Sequence, residues 1–256
     1  MKTSDSLREY PAIQPPTGVS TLERVKAVVL LGLALYFAYN IASGNLSNYV
    51  NARFAWLSYV AVALFALLGL ANAIAQFRRQ APIAIVGRTP TTWPMIAIAA
   101  LPLLLGTLVP SQPLGADAIR GPVSLSVGSN PASASVFVKA PLERNVLDWL
   151  RVFATSPVAA DFDGEQASFI GFVYHEPDFP DDIIMVARFT VSCCVADAAP
   201  VAMPVRWEDG EKPEIGEWVE VSGTFYSGMF RDSAMPILHL DDFAFVDTPE
   251  HPYLYP

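Results

Sequence analysis

The chain is 256 residues long, 52% hydrophobic and only 16% charged, with a net charge of −9. So apolar a composition excludes an ordinary soluble globular protein, and two cysteines in this length exclude a fold built on disulfides. Residues 1–116 hold 8 Lys/Arg and 3 Asp/Glu, a net of +5, and residues 117–256 hold 8 and 22, a net of −14; the acidic half cannot bind nucleic acid or anionic lipid by charge and attracts cations instead.

Residues 1–23, Pro-rich over the first 19, read as a cytoplasmic tail. Ser20-Thr21-Leu22-Glu23 ends it as a capping box, in which the serine hydroxyl takes a backbone N–H and Glu23 returns the bond. Residues 24–110 read as a transmembrane region with helices over about 25–43, 54–77 and 93–110. Val25 to Ser43 has Lys26 as its only charge, Phe54 to Phe77 has none, and Trp93 to Val109 is shorter and carries Pro94 and Pro102. Crossing a bilayer core of about 30 Å takes roughly 20 apolar residues in a helix. The first two runs meet that. The third is at the lower limit, and Pro102, which has no N–H, should kink it. A cleaved signal peptide competes for the first run, with Ala42-Ser43-Gly44 as the peptidase site, but the stretch is long for a signal core and a second span follows closely. A buried or interfacial hairpin competes for the third, where Trp93 takes the place of an interfacial anchor. In the second run Ala61, Ala66, Gly69 and Ala73 offer a small-residue surface to a partner helix.

Lys2, Arg8, Arg24, Lys26, Arg78, Arg79 and Arg88 flank the spans on one side, against Arg53 and Arg120 on the other. The positive-inside rule puts the N-terminus in the cytoplasm, and three spans then send the C-terminal domain outside. Residues 111–135, rich in Pro, Gly, Ser and Ala, read as a linker to an acidic extracytoplasmic domain at 136–256. Leu142, Val146, Trp149, Leu150 and Phe153 form one stripe of an amphipathic helix between Pro141 and Ser156-Pro157. Strands follow over Ser168–His175, Ile183–Val191, Met203–Trp207, Trp218–Phe225 and Ile237–Val246, separated by Pro, Asp and Gly turns. Five short strands are few for a sandwich and suit a small OB-like barrel, with Val219 and Val221 facing inward and Gly223 allowing a bend. No helix fits between the third and fourth strands. The fold class is thus a three-helix membrane region followed by a mostly-β, OB-like domain with one preceding helix.

Both cysteines are adjacent, in Arg188-Phe-Thr-Val-Ser-Cys193-Cys194-Val-Ala-Asp197. Strand alternation puts Cys193 on the apolar face of Met185, Ala187, Phe189 and Val191, and Cys194 on the accessible face. Three roles stay open: structural packing, a soft metal or metalloid site, and a redox disulfide. A metal site, with zinc or another soft metal as its ion, would draw on Cys193, Cys194, Asp197, His175 and His239, although no CxxC or HxxEH spacing is present. Asp181-Asp182 and Asp241-Asp242 read as solvated turns. The chain has no nucleophile motif, phosphate loop or Ser/His/Asp arrangement, so the expectation is a protein that is not an enzyme.

Three membrane segments, Leu147-Asp148-Trp149, Gly171-Phe172-Val173-Tyr174, the Arg188–Asp197 stretch, Gly216 to Gly223 and the closing Pro252-Tyr253-Leu254-Tyr255-Pro256 together resemble the YcgQ-like family of bacterial permease subunits. The resemblance covers nearly the whole chain, and the double-Cys block with Asp197 is its most specific part. It implies a plasma-membrane protein working beside a polytopic permease, related to a group that includes organoarsenical exporters. The expected function is an accessory permease subunit whose outer domain binds or senses a soft metal or metalloid. The rival is an assembly protein whose domain docks an envelope partner, with cysteines that only pack.

Overall fold

The computed structural model describes residues 21–77, 92–121, 123–126, 139–208 and 212–256. Ser20 of the capping box, the basic residues Lys2, Arg8, Arg78, Arg79 and Arg88, and linker residues 127–135 lie outside them. The described chain divides into two units, Val60–Val109 with the chain up to Ala38, and Tyr39–Tyr59 with Pro110–Pro256.

Helix α1 (Thr21–Ala42) and helix α2 (Trp56–Phe77) each run for 22 residues, about 33 Å at a rise of about 1.5 Å per residue. Both are long and apolar enough to cross a membrane. Their side chains are not gathered into a water-excluding core: Leu35 is 73% exposed and Leu67 65%. Helix α3 (Trp93–Leu108) has 16 residues, about 24 Å, short of a bilayer core on length alone. Pro94 is in its first turn, where a missing N–H costs nothing, whereas Pro102 interrupts its interior bonding.

The helices of the first unit meet at glycines. A Cβ on Gly69 would come within 2.8 Å of the Leu31 side chain and 3.2 Å of its backbone nitrogen, and one on Gly32 within 2.9 Å of Leu103. Gly106 lies under the Tyr36 ring. Phe37 stacks on Phe65 with centroids 5.9 Å apart, and the Gln76 amide donates to the Glu23 carbonyl at 2.8 Å. The small-residue position at Gly69 therefore serves contact between α1 and α2 of the same chain rather than a surface left open for a partner. Sequence spacing identifies a close-approach residue but not the helix that approaches.

In the second unit a 3-10 turn at Pro141–Glu143 leads to helix α4 (Val146–Phe153). Asn145 and Asp148 close a capping box at its start: the Asn145 side chain accepts from the Asp148 N–H, and the Asp148 carboxylate accepts from the Asn145 N–H. Val146, Leu147, Trp149 and Leu150 are buried, but Leu142 precedes the helix and is exposed, so the apolar stripe begins later than its spacing predicts.

The strands are β1 (Gln166–Tyr174), β2 (Ile183–Thr190), β3 (Ala199–Arg206), β4 (Trp218–Phe230), β5 (Ser233–Phe245) and a two-residue β6 (Tyr253–Leu254). β1 pairs with both β2 and β4, β2 with β3, β3 in parallel with β5, and β5 with β4, so five strands form a ring of pairings; β6 joins β2 in parallel. Val219 and Val221 are fully buried. At Gly223 the β4–β5 register shifts, and a side chain there would collide with the His239 carbonyl, so the bulge requires glycine.

Two apolar clusters occupy opposite faces of the strands. Trp149, Phe169, Ile184, Val186, Val221 and Phe225 share one, under α4. Ile183, Met185, Ala187, Phe189 and Val191 share the other with Phe172, Val123 and Tyr253. β2 is thus buried on both sides. The face of Ile184 does not turn polar by reaching water: Arg188, at 6% exposure, lies under the C-terminal segment.

Candidate functional site

Strand β2 ends at Thr190, and the Val191 N–H donates to the Leu254 carbonyl at 2.9 Å. The chain then bends through Ser192 and Cys193, and a single 3-10 turn, Val195–Asp197, brings a carboxylate back to the bend. Asp197 accepts from the Ser192 N–H at 2.9 Å through Oδ1 and from the Cys193 N–H at 2.7 Å through Oδ2. Two otherwise orphaned donors are satisfied this way, which fixes the turn.

The bend overturns the face assignment drawn from alternation. Cys193 is exposed and Cys194 half-buried, the reverse of a buried Cys193 and an open Cys194. Two-residue periodicity holds only while the backbone is extended, and it stops at Val191. The two thiols are free, with Sγ atoms 3.7 Å apart. Hydrogen bonds from the Cys193 thiol to the Asp197 carboxylate and then to the Cys194 thiol push it up to about 11, because a thiolate has no proton to donate to them. The same contacts with Cys193 hold Asp197 below its ordinary value.

The connection between α1 and α2 supplies the other wall of the turn. Val50 bridges Cys194 in antiparallel fashion, the Asn51 N–H donates to the Cys193 carbonyl at 3.1 Å, and the Val195 N–H donates to the Tyr49 carbonyl at 3.0 Å. The buried Asn51 amide donates to the Ser192 carbonyl at 2.9 Å and the Val191 carbonyl at 3.4 Å, while its Oδ1 accepts from the Arg53 N–H. Tyr253 of β6 ties in the same connection: its hydroxyl donates to the Asn48 carbonyl at 3.0 Å and accepts from the Leu114 N–H at 2.9 Å. Spacing gives no hint of the roles of Asn51 and Tyr253, because their partners are about 140 and 205 positions away along the chain.

Arg188 anchors β6. Its guanidinium donates to the carbonyls of Pro252 (2.9 Å), His251 (2.7 Å) and Ile170 (3.2 Å) and lies over the Trp218 ring at 5.2 Å. Burial lowers its pKa to about 10, so it remains a cation at neutral pH.

The histidines lie elsewhere in the strand ring. His175 follows β1, and His239 pairs in β5 with Thr224 and Arg206, its ring 4.9 Å from that of Tyr226. Among the described residues no group of three or more His, Cys, Asp or Glu side chains is placed to hold a metal ion. Of the five residues expected to share a metal, Cys193, Cys194 and Asp197 stand on one turn, and His175 and His239 are not brought to them. The turn presents a two-thiol donor pair, with the Asp197 oxygens already engaged by backbone N–H groups.

Residues 25–121 match the model of the DUF1980 N-terminal domain and residues 142–256 that of the DUF1980 C-terminal domain, so the protein belongs to the DUF1980 family, an apolar helical part joined to a mostly-β part. Among curated proteins it is similar to a Streptococcus mutans protein named "Putative two-component membrane permease complex subunit", with 21% identity over 90% of this chain and 98% of that protein. It is also similar to the Bacillus subtilis UPF0703 protein YcgQ, with 19% identity over the same shares of the two chains. This agrees with the YcgQ-like resemblance carried by the double-Cys block.

Proposed function

We propose that this protein is a non-enzymatic accessory subunit of a permease complex in the bacterial plasma membrane. The observation that carries the reading is the likeness, over 90% of the chain, to the Streptococcus mutans protein bearing the permease-subunit name. In this reading α1, α2 and α3 all span. The exposed apolar side chains of α3, Ile98 at 72% and Leu108 at 71%, support lipid contact for it, since water around them would be costly. The N-terminus is cytoplasmic and the acidic domain outside. The five-strand ring, with its parallel β3–β5 contact and the bulge at Gly223, supports an OB-like barrel as the shape of that domain.

Crosslinking in native membranes followed by purification in mild detergent tests the reading. The expected product contains this chain and a polytopic membrane protein, and recovery of self-oligomers alone overturns it.

The finer part of the reading is that the Cys193–Cys194 turn takes a thiophilic cation such as Zn²⁺ or trivalent arsenic. The support is a pair of free thiols 3.7 Å apart on an accessible turn of a strongly acidic domain. Cysteines that only pack would be buried, and Cys193 is not. Calorimetric titration of the reduced protein with Zn²⁺ should give heat that scales with buffer protonation enthalpy, because binding displaces thiol protons, whereas with arsenite the thiol protons leave as water and the heat should not depend on the buffer. Cys194→Ser should abolish it. Absence of heat with both Zn²⁺ and arsenite rules the cation out.

A further inference from the structure

A second concave site, independent of the dithiol turn and of the permease reading, lies where the segment after β1 meets the tip of the β4–β5 hairpin. The cavity there has a volume of about 750 Å³, within the range of roughly 300–1,000 Å³ typical of small-molecule sites. Phe179 and Phe230 form its apolar wall, ring centroids 5.1 Å apart and edge to face, both largely buried. Glu176, Asp178 and Asp232 supply three carboxylates to its lining, against the single cation Arg231.

Arg231 shows what chemistry the wall accepts. Its guanidinium lies 4.9 Å over the Phe179 ring and 5.8 Å from that of Phe230, while Nη2 donates to Glu176 Oε2 at 2.8 Å. Glu176 Oε1 accepts from the Tyr174 hydroxyl at 3.0 Å. Burial, then the bond to Glu176, pushes the Tyr174 phenol up, so it stays a donor and orients the carboxylate. An aromatic face plus an oriented carboxylate is the recognition chemistry of a planar, delocalised cation, which can stack and donate together where a compact ammonium cannot stack. Arg231 and its neighbour Asp232 stand at positive φ, 49° and 59°, at the hairpin tip. The tip therefore holds the guanidinium in place from a turn rather than from a strand, and it can leave without disturbing the ladder.

We propose that this cavity binds a small guanidinium-bearing cation, which takes the place on Phe179 and Glu176 that Arg231 holds. The −14 charge of residues 117–256 concentrates such cations near the site. A resident competitor lowers apparent affinity by the fraction of time it occupies the wall, so removing it should strengthen binding.

The test uses the full chain in detergent micelles, titrated with methylguanidinium, methylammonium and an acetylated Gly-Arg-Gly peptide. Arg231→Asn keeps a residue that tolerates positive φ, and Arg231→Gly is the second variant should the first melt early. Either variant should bind methylguanidinium at least about tenfold more tightly than the wild type, with methylammonium at least about tenfold weaker than methylguanidinium. Adding Glu176→Gln to the Arg231 variant should abolish the gain. No methylguanidinium binding by a folded Arg231 variant, or binding indifferent to Glu176→Gln, overturns the proposal and leaves Arg231–Glu176 as a pair that locks two turns together. Tighter binding of the peptide than of methylguanidinium also overturns it, in favour of an arginine on a partner protein.

Discussion

At the scale of single residues, Asp197 and Arg188 each organise backbone that the strands alone would leave unsatisfied. Asp197 does so at a cost to the reactivity of Cys193, whose thiol it holds near 11. Asp197→Asn should return that thiol towards its ordinary value and speed alkylation at pH 8 by about an order of magnitude, because the thiolate is the nucleophile. Mass-spectrometric rates for Cys193 and Cys194 measured separately check this, and an unchanged Cys193 rate would show that another group holds the thiol up. The pH dependence has two opposite arms. Asp197 is depressed, so its contribution to stability is present above its ordinary pKa and is lost as pH falls through the folded value. Cys193 is raised, so its contribution is present below its ordinary pKa and is lost as pH climbs towards about 11. Arg188 is the larger stability determinant. Arg188→Met leaves three carbonyls without their donor and should cost about 2–4 kcal/mol in a denaturant melt. Hydrogen exchange should then locate the lost protection at Tyr253 and Leu254 of β6.

Among the elements, glycines decide which surfaces can meet. Gly69→Leu should disrupt the packing of α1 on α2 within this chain, because the new side chain would overlap Leu31. The expected result is a lower melting temperature of the purified chain in detergent. A variant that melts like the wild type but loses a copurifying permease would restore the surface to a partner. Legibility differed between elements for physical reasons. The two long apolar helices were legible because an uninterrupted run of about 20 apolar residues has few other uses. β2, β4 and β5 were legible from runs of Val, Ile and Phe between turns, although the hairpin of β4 and β5 extends to Phe230 and Ser233, beyond the apolar pattern. β6 was not legible, since a two-residue strand has no period and exists only because Arg188 and Phe189–Thr190 receive it.

For the molecule as a whole, the α1–α2 connection belongs to the same unit as the strands. Its contacts with the dithiol turn, Val50 with Cys194 and Asn51 with Ser192, lie within that unit. The orientation proposed from the distribution of basic residues is open to a direct measurement. With Cys193 and Cys194 replaced by alanine, Ser233→Cys on the exposed hairpin should react with an impermeant maleimide in intact cells if the domain is outside. Labelling only after lysis would place the domain inside and overturn that orientation.

The sequence by itself determined that an apolar helical part precedes an acidic, strand-rich part, that the two cysteines are adjacent with Asp197 three residues on, and that the chain has a YcgQ-like character. Each of these rests on local composition or short spacing, which survive without knowledge of distant contacts. Only the tertiary structure decided that Cys193 faces solvent and Cys194 turns inward, that His175 and His239 stand apart from them, and that Asn51 clamps the turn. It also decided that Arg231 lies on the aromatic wall beside Glu176. Those outcomes depend on where the backbone leaves its regular period and on pairs brought together from 55 to 140 positions apart, and neither alternation nor motif spacing carries that information.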